Sequence, residues 1–250
     1  MPRIRSAFLL LAFFAAALAG CGAGTIPAVR SEPERLDLAR RLAAQGHCSV
    51  SIELLKTYIA VNTGSGDVDE AICQLGECYL KMKDWVAASA EFERLLRDYP
   101  ESDSGAAASF HLGEALFGQA RPPDFDQDYT TRALAQWQSY LRTYPGHWLN
   151  PEAERRVAMT RKRLGTKLLH TGRLYLKLKL SEPARVYFQR VEQEYGDTDL
   201  LGEALLGLAL SDVLAGRRAE AVEKLTRIES QFAGRPIAQR AADERKRLGH

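Results

Sequence analysis

An all-α solenoid of paired helices is the fold this sequence predicts, and three observations predict it. Apolar residues recur at steps of three and four along most of the chain from residue 34, which puts them on one face of a helix. No stretch of useful length alternates apolar with polar residues, as a half-buried strand would. A pattern of small and large residues returns five times, and such self-similarity marks architectures built from stacked hairpins.

The chain starts with a different kind of segment. Met1 to Ser6 carry Arg3 and Arg5 and no acid, and thirteen apolar residues follow from Ala7 to Ala19. That pattern over residues 1–20 is a secretory leader, too short for a comfortable transmembrane helix. Leu18-Ala19-Gly20-Cys21 then resembles a bacterial lipobox, whose cysteine is acylated and becomes the first residue of the mature chain. Several acyl chains, at about 0.8 kcal/mol per buried CH₂, make a lasting anchor. Gly22 rather than Asp follows the cysteine, which in that sorting pattern directs delivery to the outer membrane. Residues 21–33 read as the lipidated N-terminus and a short flexible tether.

The repeats come next. In the first unit Leu38-Ala39 and Leu42 lead to a degenerate second helix with Ser51, Leu55 and Tyr58, closing on Val61-Asn62-Thr63. The second unit, Asp69 to Pro100, is the clearest: Leu75-Gly76-Glu77 and Tyr79, then Trp85, Ala88, Phe92, Leu95, Leu96 and Tyr99. Gly76 and Ala88 are small where two helices must cross closely, and Pro100 forbids continuation. The third unit repeats this as Leu112-Gly113 and Leu116, then Ala133, Trp137, Tyr140, Tyr144 and Pro145, with residues 121–128 inserted as a loop. Residues 151 to about 179 read as one extended helix, capped by Asn150 with Pro151 at its first position. Gly172 and Tyr175 at its end lead to Ala184, Phe188, Val191, Tyr195 and Gly196. Leu205, Ala209 and Val213 lead to Ala221, Leu225, Ile228 and Phe232 in the fifth unit. This is the grammar of tetratricopeptide repeats, at periods of 37 to 51 instead of a strict ~34.

Charge and motifs narrow the function. The chain has 34 Lys+Arg against 32 Asp+Glu, and loss of Arg3 and Arg5 with the leader leaves 32 of each. A mature chain without net charge is a poor general nucleic-acid binder, which would depend on neutralising phosphates. The five histidines are scattered, no CxxC or HExxH occurs, and there is no nucleophile elbow, phosphate loop or dinucleotide turn. Neither metal nor cofactor is implied, and an enzyme is not expected. Asp124-Phe125-Asp126-Gln127-Asp128 opens like a calcium loop, but Tyr129 and Ala135 stand where Gly and Glu are required. These acids are expected to end one helix and cap the next.

Three cysteines remain after lipidation: Cys48, Cys73 and Cys78. An oxidising compartment permits a disulfide, and the repeat register puts Cys48 and Cys78 at the same end of the stack. Three small buried thiols at helix contacts are the competing reading. The long helix is basic, with Arg155, Arg156, Arg161, Lys162 and Arg163 against the acids Glu152 and Glu154. It reads either as a docking face for an acidic partner or anionic headgroups, or as a solvated face.

The order of features resembles the BamD (YfiO/ComL) family. It runs from a lipobox through about five repeats, with Tyr99-Pro100 and Tyr144-Pro145 closing second helices. Asp126-Gln127-Asp128 then leads into Thr131-Arg132-Ala133-Leu134, followed by a long charged helix and a Tyr-bearing pair from Tyr175 to Tyr195. Val61-Asn62-Thr63 and Tyr195-Gly196 depart from the Tyr-Pro pattern. The resemblance implies a lipoprotein scaffold of the outer-membrane β-barrel assembly machinery, anchored in the outer membrane and facing the periplasm. In it, N-terminal repeats (34–149) receive unfolded outer-membrane-protein segments. The long helix and C-terminal repeats (150–250) dock the barrel subunit and accessory lipoproteins. Groove positions carried over from tetratricopeptide proteins are Leu36, Arg40, Cys73, Glu77, Lys81, Phe110, Glu114 and Phe117. The alternative is another periplasmic repeat lipoprotein, a pilotin-like or cell-envelope adaptor.

Overall fold

The structure, a computed structural model, describes residues 29–64 and 66–249; the leader and the lipobox cysteine Cys21 lie outside them. Eleven helices and no strand occur among the described residues. They are α1 (Glu32–Ala44), α2 (Cys48–Val61), α3 (Val68–Lys81), α4 (Trp85–Asp98), α5 (Gly105–Gly118), α6 (Asp128–Thr143), α7 (Asn150–Lys177), α8 (Ser181–Tyr195), α9 (Leu201–Leu214), α10 (Arg218–Gln231) and α11 (Pro236–Arg247). Each helix packs on its neighbours in sequence, the quasi-one-dimensional arrangement of a solenoid. The five expected hairpins are α1/α2, α3/α4, α5/α6, α7/α8 and α9/α10. None of the described helices is long and apolar enough to cross a membrane.

What packs each hairpin is a size match at one recurrent position. A Cβ on Gly76 would lie 2.6 Å from the Phe92 ring, one on Gly113 2.4 Å from Trp137, and one on Gly172 2.8 Å from Phe188. Each glycine therefore seats the aromatic ring of its partner helix, and Phe92, Trp137 and Phe188 are fully buried. In the first and fifth hairpins the second helix carries Leu55 and Leu225, and Ala39 and Ala209 occupy the glycine position; all four are buried. Interiors packed at crystal-like density require this complementarity of volumes. Gly207 extends the rule between units, since its Cβ would meet Phe188 at 2.5 Å.

The turns inside the hairpins repeat as well. Gly46 (φ 84°), Lys83 (φ 61°), Lys179 (φ 58°) and Gly216 (φ 77°) hold the left-handed residue that follows a first helix. The third hairpin replaces this turn with the inserted loop. Gln127 organises that loop: its Nε2 lies within hydrogen-bonding distance of the carbonyls of Arg121, Pro122, Phe125 and Asp126, which share its two N–H groups, and its Oε1 accepts from Thr130 Oγ1 at 2.8 Å. Asp126 Oδ2 accepts from the backbone N–H of Asp128 at 3.2 Å. Asp124 turns away to His170 on α7, 2.6 Å distant.

Four boundaries differ from expectation. Helix α1 begins at Glu32, capped by Ser31, inside the segment expected to be tether. Helix α7 starts at Asn150, with Leu149 at the capping position; the Asn150 amide instead donates to the Tyr144 carbonyl at 3.2 Å. The helix ends at Lys177 because Lys179 turns left-handed. An eleventh helix, α11, caps the stack with Pro236 in its first turn. Only Ala241 of it is buried, so its polar composition hides it from a search for apolar periodicity.

The buried core forms two clusters. One runs from Leu36 to Ala153, with Val157 packed against it; the other runs from Leu169 to Ala241. They meet along α7, whose 28 residues span both.

Candidate peptide-binding groove

The first helices of the hairpins line one face of the stack, and a cavity of about 680 Å³ opens on it between the second and third units. Its walls are Glu77, Leu80 and Lys81 of α3, Trp85 of α4, His111, Glu114, Phe117 and Gly118 of α5, and Arg156 of α7. Four expected groove positions, Glu77, Lys81, Glu114 and Phe117, thus converge on one cavity. The lining is mostly apolar with a few convergent charges, the usual character of a recognition site.

A chain of polar contacts fixes the polar wall. His111 Nδ1 lies 2.8 Å from Glu114, and His111 Nε2 lies 3.9 Å from Glu77. Arg156 donates to Glu114 and to Glu152, each at 2.8 Å. The His111 ring stacks on Phe92, centroids 5.8 Å apart, so the hairpin core sets the position of this charged cluster. Lys81 reaches across to the Ala43 carbonyl at 3.2 Å. Hydrogen bonds from Arg155, supported by the charges of both arginines, hold the Glu152 carboxyl below its ordinary range.

The opposite wall is aromatic. Trp85 presses on the backbone of Gly118, where a Cβ would come within 2.3 Å of the indole. Phe117 packs on Trp137 at 5.8 Å and carries the Arg163 guanidinium 5.1 Å above its ring. A second cavity of about 630 Å³ shares Glu77 and adds Asp67, Asp69, Glu70, Cys73, Asp103 and the exposed Trp148. The groove therefore runs from an apolar, mixed-charge pocket to an acidic one.

Three expected groove residues lie elsewhere. Leu36 and Phe110 are core: both are buried, and the Phe110 ring meets Tyr140 edge-on at 5.7 Å. Helical period decides this, because His111 and Glu114 take the groove face that Phe110 turns away from. Arg40 pairs with Glu70 at 2.6 Å and with Asp37 at 3.6 Å, beside the second cavity but outside both linings. Cys73 lines the second cavity with its thiol buried, and that burial pushes it up to about 12. Trp85, His111 and Arg156 also line this cavity, and the sequence reading placed none of them there. Trp85 reads as part of an apolar face and Arg156 as part of a docking face. Only the stacking of α3, α4, α5 and α7 brings them together.

The basic helix is largely neutralised from within. Arg161 donates to Asp197 at 2.7 Å and the Glu194 carbonyl at 2.8 Å, and Lys162 pairs with Asp199 at 2.6 Å. Arg163 donates to the Ala120 and Arg121 carbonyls and to Gln127, bracing the inserted loop. Arg155 stays exposed, paired with Glu152. The acids that balance Arg161 and Lys162 come from the α8–α9 turn, and Glu114, which pairs with Arg156, comes from α5, so counting charges within α7 alone overstates its free positive charge.

Cys48, Cys73 and Cys78 are all buried, free thiols. No cluster among the described residues could hold a metal ion.

The family model of the YfiO outer membrane lipoproteins matches residues 39–227. The chain belongs to this family. The match takes in most of the solenoid, from α1 into α10, and so includes both cavities. Similar solved structures include a thermophilic tetratricopeptide-repeat protein of Thermus thermophilus, 20% identical over 85% of this chain and 98% of that one, with a TM-score of 0.40. A tetratricopeptide-repeat protein of Parabacteroides merdae is 15% identical over 87% of this chain and 72% of that one, with a TM-score of 0.39. PilW, a type IV pilus biogenesis factor, is 14% identical over 86% of this chain and the whole of the other, with a TM-score of 0.39. No curated protein matches.

Proposed function

We propose that this YfiO-family lipoprotein is a binding scaffold of the outer-membrane β-barrel assembly machinery. Its groove receives extended segments of unfolded outer-membrane proteins. The observation that carries this reading is the convergence of Glu77, Lys81, Trp85, Glu114 and Phe117 on one cavity. An aromatic side chain fits against Trp85 and Phe117, while Lys81 and Arg156 offer donors to a backbone carbonyl or terminal carboxylate. Extended peptides suit such a surface because pockets for alternate side chains supply the specificity.

In this reading Cys21 carries the lipid anchor that holds the protein at the periplasmic face of the outer membrane. The N-terminal repeats (34–149) form the substrate side. The long helix and C-terminal repeats (150–250) dock the barrel subunit and accessory lipoproteins, with Arg155 the most exposed of the five basic residues expected there. The work is binding rather than catalysis, and it uses no cofactor.

The test uses the detergent-solubilised lipoprotein and a synthetic peptide of alternating polar and apolar residues ending in Phe, read by tryptophan fluorescence. Phe117→Ala and Lys81→Glu are expected to weaken binding at least tenfold with the helical content intact. Equal binding by both variants would refute the groove assignment. Co-purification without any barrel subunit, together with a normal outer-membrane-protein profile after depletion, would refute the assembly role.

A further inference from the structure

Two of the three buried thiols are neighbours. Cys48 opens α2 and Cys78 lies near the end of α3; the two helices pack on each other and both side chains are buried in the same core cluster, close enough for the Cys48 thiol to act on that of Cys78. The corner that holds them is pinned on both sides. Ser51, one turn along from Cys48, donates to the Ala39 carbonyl at 2.9 Å, and Lys81, one turn beyond Cys78, donates to the Ala43 carbonyl at 3.2 Å. Cys73 stands apart: it sits five residues before Cys78 on the same helix and lines the second cavity beside Ser104 of the third unit.

We propose that oxidation joins Cys48 and Cys78 in a disulfide that ties the first hairpin to the second and leaves Cys73 as the free thiol. The bond would cross-link α2 to α3, the helix that supplies Glu77 and Lys81 to the groove. It rests on export, which the family of outer membrane lipoproteins entails, because thiols pair stably in oxidising compartments. The oxidant is a disulfide, such as that of a periplasmic dithiol oxidase or of glutathione. The thiolate of Cys48 attacks one sulfur of that disulfide and releases the first reduced thiol. The thiolate of Cys78 then attacks Cys48 in the mixed disulfide and expels the second. Two electrons and the two thiol protons leave on the reduced oxidant.

Burial makes the timing specific. Desolvation, then the adjoining Cys48 thiol, pushes the Cys78 thiol up to about 12, so attack in the closed structure is slow. Pairing therefore takes place while the first two hairpins fold or open.

The experiment compares the full-length lipoprotein isolated from membranes with the reduced chain refolded in oxidised glutathione. Both are alkylated in denaturant and mapped. Trypsin leaves Cys73 and Cys78 on one peptide, so the mapping uses the Cys73→Ala variant; cleavage after Glu77 separates the two cysteines in wild type. The expected result is a peptide of residues 42–56 linked to one of residues 57–81, with wild-type Cys73 alkylated before reduction. Reductant is expected to lower the wild-type melting temperature by on the order of 10 °C, as a cross-link closing a loop of about 30 residues should. It should leave Cys48→Ser unmoved. Absence of the link in both samples, or a bond to Cys73, would overturn the proposal. A link formed in glutathione but absent from the membrane sample would count against the export reading and leave the pairing intact.

Discussion

Replacing Gly113 by alanine tests the packing rule that organises every hairpin. On a bare helix the change is favourable by about 1 kcal/mol, because glycine loses more backbone entropy than alanine. In this protein the new Cβ would lie 2.4 Å from Trp137 Nε1 and 2.6 Å from Cε2, distances no relaxed side chain tolerates. Trp137 is fully buried, and its indole N–H donates to the Phe110 carbonyl at 3.2 Å, so the ring has no open side to move into. Overpacking costs about 1–3 kcal/mol. Stranding the buried indole donor adds about 1–3 kcal/mol. Against the gain of about 1 kcal/mol, the net loss is about 3 kcal/mol, or roughly 6–12 °C in melting temperature for a chain of this size. Thermal unfolding followed by far-UV circular dichroism on the purified chain measures it. The near-UV band of Trp137 should also weaken. Gly66→Ala, where nothing lies within 4 Å, is the control and should melt like wild type. If Gly113→Ala melts at or above wild type, the account of glycine as the seat for an aromatic ring is wrong.

Three further outcomes are expected. Asp212 is almost fully buried between Arg217 Nε and Lys224 Nζ, each 2.8 Å from one of its oxygens. Burial alone would raise its carboxyl, but the contacts and charges of Lys224 and Arg217 outweigh it and hold it below the ordinary range. A depressed folded value contributes stability that is full above the unfolded pKa near 4 and lost as pH falls through the folded one. The loss of stability as pH falls below 4 should therefore shrink in Asp212→Asn, which at pH 7 should be less stable by about 2 kcal/mol; parallel pH profiles would remove Asp212 from the account. Lys83 and Lys179 adopt the left-handed conformation held by glycine at Gly46 and Gly216, so Lys83→Gly should raise stability by up to about 1 kcal/mol in urea denaturation, and a loss would mean that the Lys83 side chain does more than occupy the turn. Cys21→Ala should move the protein from the membrane fraction to the soluble periplasm or leave it as precursor; unchanged fractionation would refute lipid anchoring.

Much of the architecture was legible in order along the chain, since local information fixes it. Apolar residues at steps of three and four, Pro100 and Pro145 as helix stops, and the spacing from Gly76 to Phe92 all act through neighbours within a few turns. The positions carried over from tetratricopeptide proteins include Glu77, Lys81, Glu114 and Phe117, which line one cavity. Leu36 and Phe110 are buried in the core and Arg40 lies outside both cavities; for Phe110 a single step along the helix, to His111, separates core from cavity lining. Apolar periodicity missed α11, whose polar surface leaves Ala241 as its one buried anchor.

The sequence by itself determined the solenoid, because each hairpin's fold follows from residues at most a few turns apart. Tertiary structure alone decided the groove's chemistry and the fate of the basic helix. Glu114 meets Arg156 across 42 positions and Lys162 meets Asp199 across 37. Such pairings depend on how stacked helices are offset against one another. No local period in the sequence encodes that offset; it is set by the fit of rings into glycine seats and of each unit onto the next.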